Sequence, residues 1–315
     1  MLRRLCCLTA GIPACSGFLR DPRLRFPASV QSRAIRRPAS TAVRNVFDEV
    51  LGGILGGGPS MSREAATLEK IDPSAFLGQF QAPRCPRGGN MLEGVSWPEE
   101  FPLDKEAAFR RQDENDDRFF YLAPRFVHHI DENAQDSIRE YYAKTLPSGD
   151  LGGFSHLDLC SSWVSHLPES YRPERVAGLG MNQLELAQNK RLTESVVQDL
   201  NKKPDLPYGN DEFDVVTNVV SVDYLSRPLE IFEEIFRVLK PGGRAIMSFS
   251  NRCFPTKVIA AWFPTNDLQH CGIVASYFKY SGFEDLKAIE VTKSWGDPMY
   301  VVEGRKPPSQ TSTAQ

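Results

Sequence analysis

Residues 199–243 read DLNKKPDLPYGNDEFDVVTNVVSVDYLSRPLEIFEEIFRVLKPGG and contain the clearest structural pattern in the chain. Their segment FDVVTNVV is a continuous apolar run, which is typical of a strand covered on both faces of a sheet. The segment LEIFEEIFRVLK places Ile231, Ile235 and Val238 at helical spacing, which predicts an amphipathic helix. The PGG sequence at 241–243 offers the glycine and proline that end such a helix. The stretch therefore predicts a buried strand followed by a helix that packs on it.

The same alternation of strands and helices continues on both sides of this stretch. Short apolar runs predict further strands at HLDLC, RVAGLG, SVVQDL and RAIMSFS, and LKAIEVTK with MYVVEGRK predicts a final pair. Because helical segments lie between the strands, we expect parallel pairing. The sequence thus predicts an α/β fold with a doubly wound sheet over residues 151–305. Before it, charged residues predict a helix at about 104–116, and a second helix is expected from Glu132 to Leu146 with Asp131 as its N-cap.

The 199–243 stretch resembles the class I S-adenosylmethionine-dependent methyltransferases, most closely their type 11 branch. In that branch an acid and LPF precede FD, a strand and RVLKPGG. The matching elements here are Asp199, LPY at 206–208, FDVV at 213–216 and RVLKPGG at 237–243. The resemblance implies a Rossmann-like mixed sheet of seven strands, the last one antiparallel, with helices on both faces and an N-terminal helical cap. It also implies S-adenosyl-L-methionine as the cofactor, bound across the carboxyl ends of the strands.

Within this resemblance, Asp199 matches the acid whose carboxylate accepts the adenine amino group. Leu200 matches the neighbouring residue whose backbone reads the same ring. The alternative for Asp199 is a residue that only stabilises a surface turn.

The loop after the first strand departs from the family pattern D-x-G-x-G-x-G. The sequence from Asp158 reads DLCSSWV, so cysteine, serine and valine replace the three glycines. Glycine tolerates positive φ and lets the backbone approach a ligand, whereas a β-branched valine does not. We therefore expect the loop to take another path, or the cofactor to sit differently. Asp158, Ser161 and Ser162 remain candidates for cofactor binding, and the serines are equally suited to capping the following helix.

The end of the second strand departs as well. The family has an acid there that binds the ribose hydroxyls, but this sequence reads GLGMN and places Gly180 at that position. We assign Gly180, Met181 and Asn182 to the cofactor site, with Asn182 as a neutral partner for a hydroxyl. A neutral acceptor binds a hydroxyl less strongly than a carboxylate does.

Groups that act on the substrate are expected on loops after the fourth and fifth strands and on the cap. For catalysis the candidates are His128, as a base near neutral pH that His129 could equally provide, together with Asp223 and Tyr224. For substrate binding they are Tyr121, Arg125, Asn251 and Arg252. With Lys257, the last two form a basic mouth suited to an anionic substrate. The alternatives are a structural histidine and solvated loop charges at Arg252 and, above all, at Lys257.

The amino-terminal region has a different composition from the rest. Residues 1–60 hold nine arginines and three acids, a pattern typical of an organellar transit peptide, and end in a glycine-rich linker. The composition fits a mitochondrion or a plastid, and a basic tail without an address is the alternative. Residues 61–150 are expected to form an irregular arm and a helical cap, and residues 306–315 a disordered tail.

Composition also limits the classes of partner. The chain carries a net charge of −3, so the part after residue 60 is at −9, which argues against nucleic acid. No apolar run approaches the ~20 residues that span a bilayer, so an integral membrane protein is not expected. The cysteines show neither a CxxC pair nor zinc-ligand spacing, so no metal site is predicted.

Two functions remain open at this stage. The first is an S-adenosylmethionine-dependent methyltransferase that acts on a small substrate, expected to be anionic, in an organelle matrix or stroma. The second is a methyltransferase-like protein without catalysis that works as an assembly or interaction factor. The missing glycines and ribose acid favour the second, and Asp199 with the polar loop after Ser250 favours the first.

Overall fold

The computed structural model describes residues 73–80, 88–293 and 295–309. The predicted transit peptide and linker at 1–60 lie outside the described residues, as do residues 310–315 of the predicted tail.

Seven strands form one sheet in the order β3-β2-β1-β4-β5-β7-β6. Their bounds are β1 (Gly149–Leu159), β2 (Tyr171–Gly180), β3 (Glu194–Val197), β4 (Phe213–Val219), β5 (Leu239–Phe249), β6 (Glu284–Glu290) and β7 (Tyr300–Arg305). Neighbours among β1 to β5 pair in parallel, and β7 pairs antiparallel with both β5 and β6. The predicted mixed α/β sheet with an antiparallel last strand is thus confirmed. Strand order reverses between β1 and β4, where open α/β sheets form their ligand crevice.

Seven α-helices and two 3₁₀ turns accompany the sheet in the described residues. The helices are α1 (Pro73–Leu77), α2 (Lys105–Phe109), α3 (Asp117–Phe120), α4 (Glu132–Thr145), α5 (Gln183–Gln188), α6 (Pro228–Val238) and α7 (Asp267–Tyr280); the turns are Gly78–Phe80 and Val222–Tyr224. The prediction of a helix over 104–116 is wrong in length. Arg110 takes extended angles (φ −60°, ψ 153°), and Arg111 then forms an antiparallel bridge with Ile259.

Helices cover both faces of the sheet. On one face, α6 and α7 bury aromatic side chains such as Phe232 and Tyr277. On the other face, Ile138 and Tyr142 of α4 pack against Tyr171 and other residues of the sheet. Helix α4 is therefore a layer of the α/β sandwich, held at its start by the predicted Asp131 N-cap. The predicted domain boundary at residue 150 falls inside β1.

The PGG sequence at 241–243 behaves differently from the prediction. Helix α6 already ends at Val238, and the PGG residues form an irregularity within β5, where the register with β4 shifts. Gly242 has a φ of +79°, which explains the need for glycine. The backbone amide of Lys306 donates to the carbonyl of Gly243 at 2.9 Å, so the predicted tail begins with an anchored residue.

Candidate functional site

A cavity of about 300 Å³ lies at the carboxyl ends of the parallel strands, beside the point where strand order reverses. Part of its wall comes from the segment 111–131, which precedes α4. The eight residues predicted to bind the cofactor all line this cavity: Asp158, Ser161, Ser162, Gly180, Met181, Asn182, Asp199 and Leu200. The structure therefore brings together residues that are up to 42 positions apart in the sequence.

The loop after β1 takes another path, as expected from its missing glycines. Of the three positions where the family has glycine, only Cys160 adopts positive φ (+54°). A non-glycine residue in this region costs about 1–2 kcal/mol. Ser162 and Val164 avoid that cost, because their backbones do not enter the left-handed region.

Asp158, the last acid of β1, is partly buried at the cavity wall. Its two carboxylate oxygens accept hydrogen bonds from Ser161 Oγ at 2.6 Å and from Thr217 Oγ1 at 3.1 Å. Burial raises the pKa of this carboxyl to about 6, although the two hydroxyl donors lower it. The negative charge is therefore held by neutral donors only, and a cation in the cavity would stabilise it further.

The surroundings of Gly180 leave no room for the ribose-binding acid that the family has at this position. The β1 loop crosses directly over this position, and Ser161 donates its backbone amide to the carbonyl of Leu179 at 2.8 Å. A Cβ atom on Gly180 would lie 2.2 Å from the carbonyl oxygen of Ser161, a distance that no side chain tolerates. The two departures from the family pattern are thus linked, because the path of the first loop excludes any side chain at the end of β2.

The polar groups that follow Gly180 are bound to the 111–131 segment. Asn182 caps α5 through its Oδ1, and its Nδ2 donates to the carbonyl of Tyr121 at 2.9 Å. Glu185 accepts from the backbone amide of Arg125 at 2.7 Å and from Ser162 Oγ at 2.6 Å. Glu185 is 8% exposed and was not among the predicted site residues. Its position one turn into a helix after a strand end was the available signal.

Asp199 both lines the cavity and stabilises its own turn. Its carboxylate accepts from the backbone amide of Asn201 at 3.0 Å. Burial raises the pKa of Asp199 above its ordinary value, and the nearby charge of Asp117 raises it further. Leu200, which is buried, extends the same wall. Both interpretations offered for Asp199 are compatible with this geometry.

A buried ion-pair cluster closes one side of the cavity. Lys257 is 1% exposed, and its Nζ lies 2.9 Å from Asp117 Oδ1 and 3.0 Å from Asp113 Oδ2. Arg111 donates to Asp117 at 2.7 Å. Burial alone would raise the pKa of Asp117, but the bonds from Arg111 and Lys257 lower it below its ordinary value. The interpretation of Lys257 as a solvated loop charge is wrong, since the lysine joins the β5 loop to the 111–131 segment.

Two neighbouring histidines, His128 and His129, line the cavity. His128 lines the cavity, its Nδ1 lies 2.9 Å from Gln135 Oε1, and its ring packs edge-on against Trp163. His129 also lines the cavity, and burial lowers its pKa, so its imidazole is neutral at pH 7. Trp163 also packs against Phe126, and so forms a wall of the cavity.

The remaining predicted residues divide into two groups. Tyr121, Tyr224 and Arg252 line the cavity, whereas Asp223, Arg125 and Asn251 do not. The Tyr224 hydroxyl accepts from the backbone amide of Phe254 at 2.8 Å, which orders the loop after β5.

Asp223 lies behind the cavity wall. It is 2% exposed, and burial raises the pKa of its carboxyl to about 7.

Arg252 extends into solvent and pairs with Asp297 at 2.7 Å. The guanidinium of Arg125 lies over the ring of Phe120, 4.1 Å from its centroid.

Two classes of feature are absent from the described part of the chain. In residues 73–80, 88–293 and 295–309, no helix has the length and apolar character needed to cross a bilayer. Over the same residues, no three His, Cys, Asp or Glu side chains are grouped so as to hold a metal ion.

Known proteins share sequence with this domain. The methyltransferase domain family, type 11, matches residues 161–247. Demethylmenaquinone methyltransferase of Lactococcus lactis is 40% identical over 115 residues, which make up 33% of this chain and 45% of that protein. The bifunctional biotin biosynthesis protein BioHC of Teredinibacter turnerae is 25% identical over 174 residues, 51% of this chain and 29% of that protein. The chain thus spans less than half the length of the curated relatives it matches.

Solved methyltransferase structures are similar to part of this chain. Phosphoethanolamine N-methyltransferase 2 of Haemonchus contortus, in complex with S-adenosyl-L-methionine, aligns with 54% of this chain and 52% of its own, with a TM-score of 0.40 and 14% identity. An S-adenosylmethionine-dependent methyltransferase of Aquifex aeolicus aligns with 54% of this chain and 88% of its own, with a TM-score of 0.39 and 15% identity.

Proposed function

We propose that this chain, whose seven-stranded domain belongs to the class I S-adenosylmethionine-dependent methyltransferase superfamily, methylates a small substrate in the cavity at the end of β1. S-adenosyl-L-methionine is the cofactor of that superfamily, and when bound it supplies an electrophilic methyl group on a sulfonium. The observation that carries the proposal is the Asp158 carboxyl, which faces the cavity and has only neutral donors.

The residues of the cavity fit the two ends of this cofactor. Asp158 offers a buried negative charge to the ammonium group of the methionine part, where Coulomb attraction is strong. Asp199 offers a carboxylate to the adenine amino group at the other end, beside the buried Leu200. The middle of the cavity fits less well, since Asn182 and Glu185 already bind the 111–131 segment. We therefore expect the ribose to be held by fewer charged contacts than is usual in the superfamily.

The substrate side of the cavity is formed by His128, His129 and Tyr224. Methyl transfer depends mainly on positioning a nucleophile, excluding water and, where needed, removing a proton. His129 is the candidate proton acceptor, because it lines the cavity and burial lowers its pKa and so favours the neutral imidazole. Arg252 at the rim is the cation that would attract an anionic substrate, although Asp297 offsets part of its charge.

Isothermal titration calorimetry tests the cofactor part of the proposal. The chain should bind S-adenosyl-L-methionine and its demethylated product, S-adenosylhomocysteine. Asp158→Asn should weaken binding of both ligands by tenfold or more, because the charged hydrogen bond between the Asp158 carboxylate and the ligand's ammonium group is lost. Asp150→Asn, at an exposed position at the start of β1, is the matched control and should leave both affinities unchanged. If the wild-type chain binds neither ligand, the proposal is abandoned.

A second function is favoured by one observation. Because Asn182 and Glu185 are bound by backbone groups of the 111–131 segment, the chain itself occupies the groups nearest the ribose position. This arrangement favours a methyltransferase-like protein without catalysis, acting as an assembly or interaction factor. Incubation of the protein with methyl-labelled S-adenosyl-L-methionine and an extract of small metabolites distinguishes the two proposed functions. Transfer of label supports the enzyme, and binding without transfer, together with a recurrent partner in pull-downs, supports the assembly factor.

We also propose that the protein works in an organelle, a mitochondrion or a plastid. The support is the composition of residues 1–60, with nine arginines and three acids. A fusion of these residues to a fluorescent protein should be imported and shortened. A fusion that stays in the cytosol at full length would contradict this proposal. The acidic remainder of the chain supports a small-molecule substrate over nucleic acid.

A further inference from the structure

A chain of polar side chains runs through the core and ends at the cavity. Tyr171 OH lies 3.0 Å from His156 Nδ1, and His156 Nε2 lies 2.9 Å from Thr217 Oγ1. Thr217 Oγ1 in turn donates to Asp158 Oδ1 at 3.1 Å. Tyr171, His156 and Thr217 are each at most 1% exposed. Asp158 and Thr217 line the cavity, whereas His156 and Tyr171 lie behind its wall.

The strands bring these residues onto one face of the sheet. His156 and Asp158 are two positions apart on β1 and so point the same way. Thr217 is the direct neighbour of Asp158 across the β1–β4 pair. Tyr171 begins β2, and α4 covers this face through Tyr142. The alignment follows from strand register, so no loop needs to move for the chain to form.

The direction of every hydrogen bond follows from the ionised state of Asp158. A threonine hydroxyl has one proton, and Thr217 gives it to the carboxylate, so Thr217 must accept the bond from His156 Nε2–H. His156 Nδ1 then carries no proton and accepts from the Tyr171 hydroxyl. Burial lowers the pKa of His156 to about 3, and the charge of Arg191 lowers it further, so the ring stays neutral as this scheme requires.

We propose that Tyr171, His156 and Thr217 are positioning residues that fix the Thr217 hydroxyl as a donor to Asp158 and so hold this carboxylate ionised and aimed at the ammonium group of the cofactor. The inference rests on the proposed function, since it assumes that the cavity takes S-adenosyl-L-methionine. Buried polar groups gain little stability over a well-packed apolar set. A fully satisfied network does fix the geometry of its members, and of the two members that line the cavity only Asp158 carries a charge for the ammonium group.

The test compares two ligands that differ in one group. S-adenosylhomocysteine carries the ammonium, and its deaminated analogue has hydrogen in that place. Calorimetry should show that Thr217→Val and His156→Leu weaken S-adenosylhomocysteine binding about tenfold and change binding of the analogue less than threefold. Thr217→Ser and His156→Gln, which keep the hydroxyl and the donor N–H, should recover most of the lost affinity. Tyr171→Phe removes only the last link, so its effect should be smaller.

Controls separate this role from simple damage to the core. Ser276→Ala removes another fully buried hydroxyl, which donates to the carbonyl of Ile273 within α7, and should leave both affinities unchanged. Circular dichroism shows whether each variant folds, and the conservative Thr217→Ser and His156→Gln variants keep the test valid if a harsher one does not. The inference would be overturned if Thr217→Val and His156→Leu reduced the affinities for both ligands equally, or if Thr217→Val left S-adenosylhomocysteine binding unchanged. Failure of the wild type to bind S-adenosylhomocysteine would instead refute the proposed function.

Discussion

Replacing Lys257 by methionine should destabilise the protein, because it removes the buried ammonium group that pairs with Asp117. The Nζ atom of Lys257 is held by two carboxylates, at 2.9 Å and 3.0 Å, and by the backbone carbonyl of Asn115 at 3.0 Å. Methionine keeps the length of the side chain and removes the charge. The Asp117 carboxylate, which is 5% exposed, would then lose one of the two cations that balance its negative charge. Breaking a buried pair costs about 3–5 kcal/mol. We expect about 3 kcal/mol, the lower end, because Arg111 still bonds Asp117.

Urea denaturation followed by circular dichroism measures this loss. The double variant Lys257→Met with Asp117→Asn should recover part of the stability, because the orphaned charge is then gone. Arg118→Met is the matched control, because the exposed Arg118 pairs with Asp116 at 2.7 Å from the solvent side and its loss should leave the urea midpoint unchanged. The reasoning is refuted if Lys257→Met loses no more than Arg118→Met, or if the two changes in the double variant are simply additive.

Three further outcomes follow from residues around the cavity. Burial raises the pKa of Asp158 from its ordinary value of 3.8 to about 6. The protonated carboxyl therefore contributes stability that is fully present below pH 3.8 and is lost as the pH rises through 6. Asp158→Asn should therefore raise the thermal midpoint at pH 7 relative to wild type and not at pH 3.5, as melting curves at the two pH values will show. Cys160→Gly should change the free energy of unfolding by less than about 1 kcal/mol, because relief of backbone strain offsets the added entropy of the unfolded chain. Cys160→Val should lower the free energy of unfolding, because a β-branched residue tolerates positive φ poorly. Gly180→Ala should lower the free energy of unfolding by about 2 kcal/mol or more, because the new Cβ atom would meet the carbonyl oxygen of Ser161. Urea denaturation measures this loss. An alanine variant as stable as wild type would show that the β1 loop does not cross over Gly180.

The sequence predicted those parts of the fold that depend on local patterns. The continuous apolar run at 213–220 became a central strand, and Asp131 became an N-cap, because burial on both faces and capping are both visible within a few residues. Likewise, all eight predicted cofactor residues line the cavity, because each lies at a strand end and parallel strands end at one edge.

What the sequence did not predict depends on contacts between distant segments. Nothing near Lys257 indicates that its partners lie about 140 positions earlier, so a buried ion pair resembled a loop charge. Similarly, the loss of the ribose acid at Gly180 has its cause in the path of a different loop. The helix expected over 104–116 ended early because Arg111 bridges to Ile259, again a distant partner.

The pairing of Lys257 with acids near residue 115 also has a consequence for synthesis. Lys257 and Asp113 are separated by 144 residues. At about 5–20 residues per second, the acids leave the ribosome roughly 7 to 30 seconds before the lysine does. During that time Arg111 is the only cation of the cluster, and the bond that joins the β5 loop to the 111–131 segment cannot form. A nascent chain that stops short of residue 257 therefore has no complete pocket, and ligand binding marks a polypeptide that has been translated through the fifth strand and its loop.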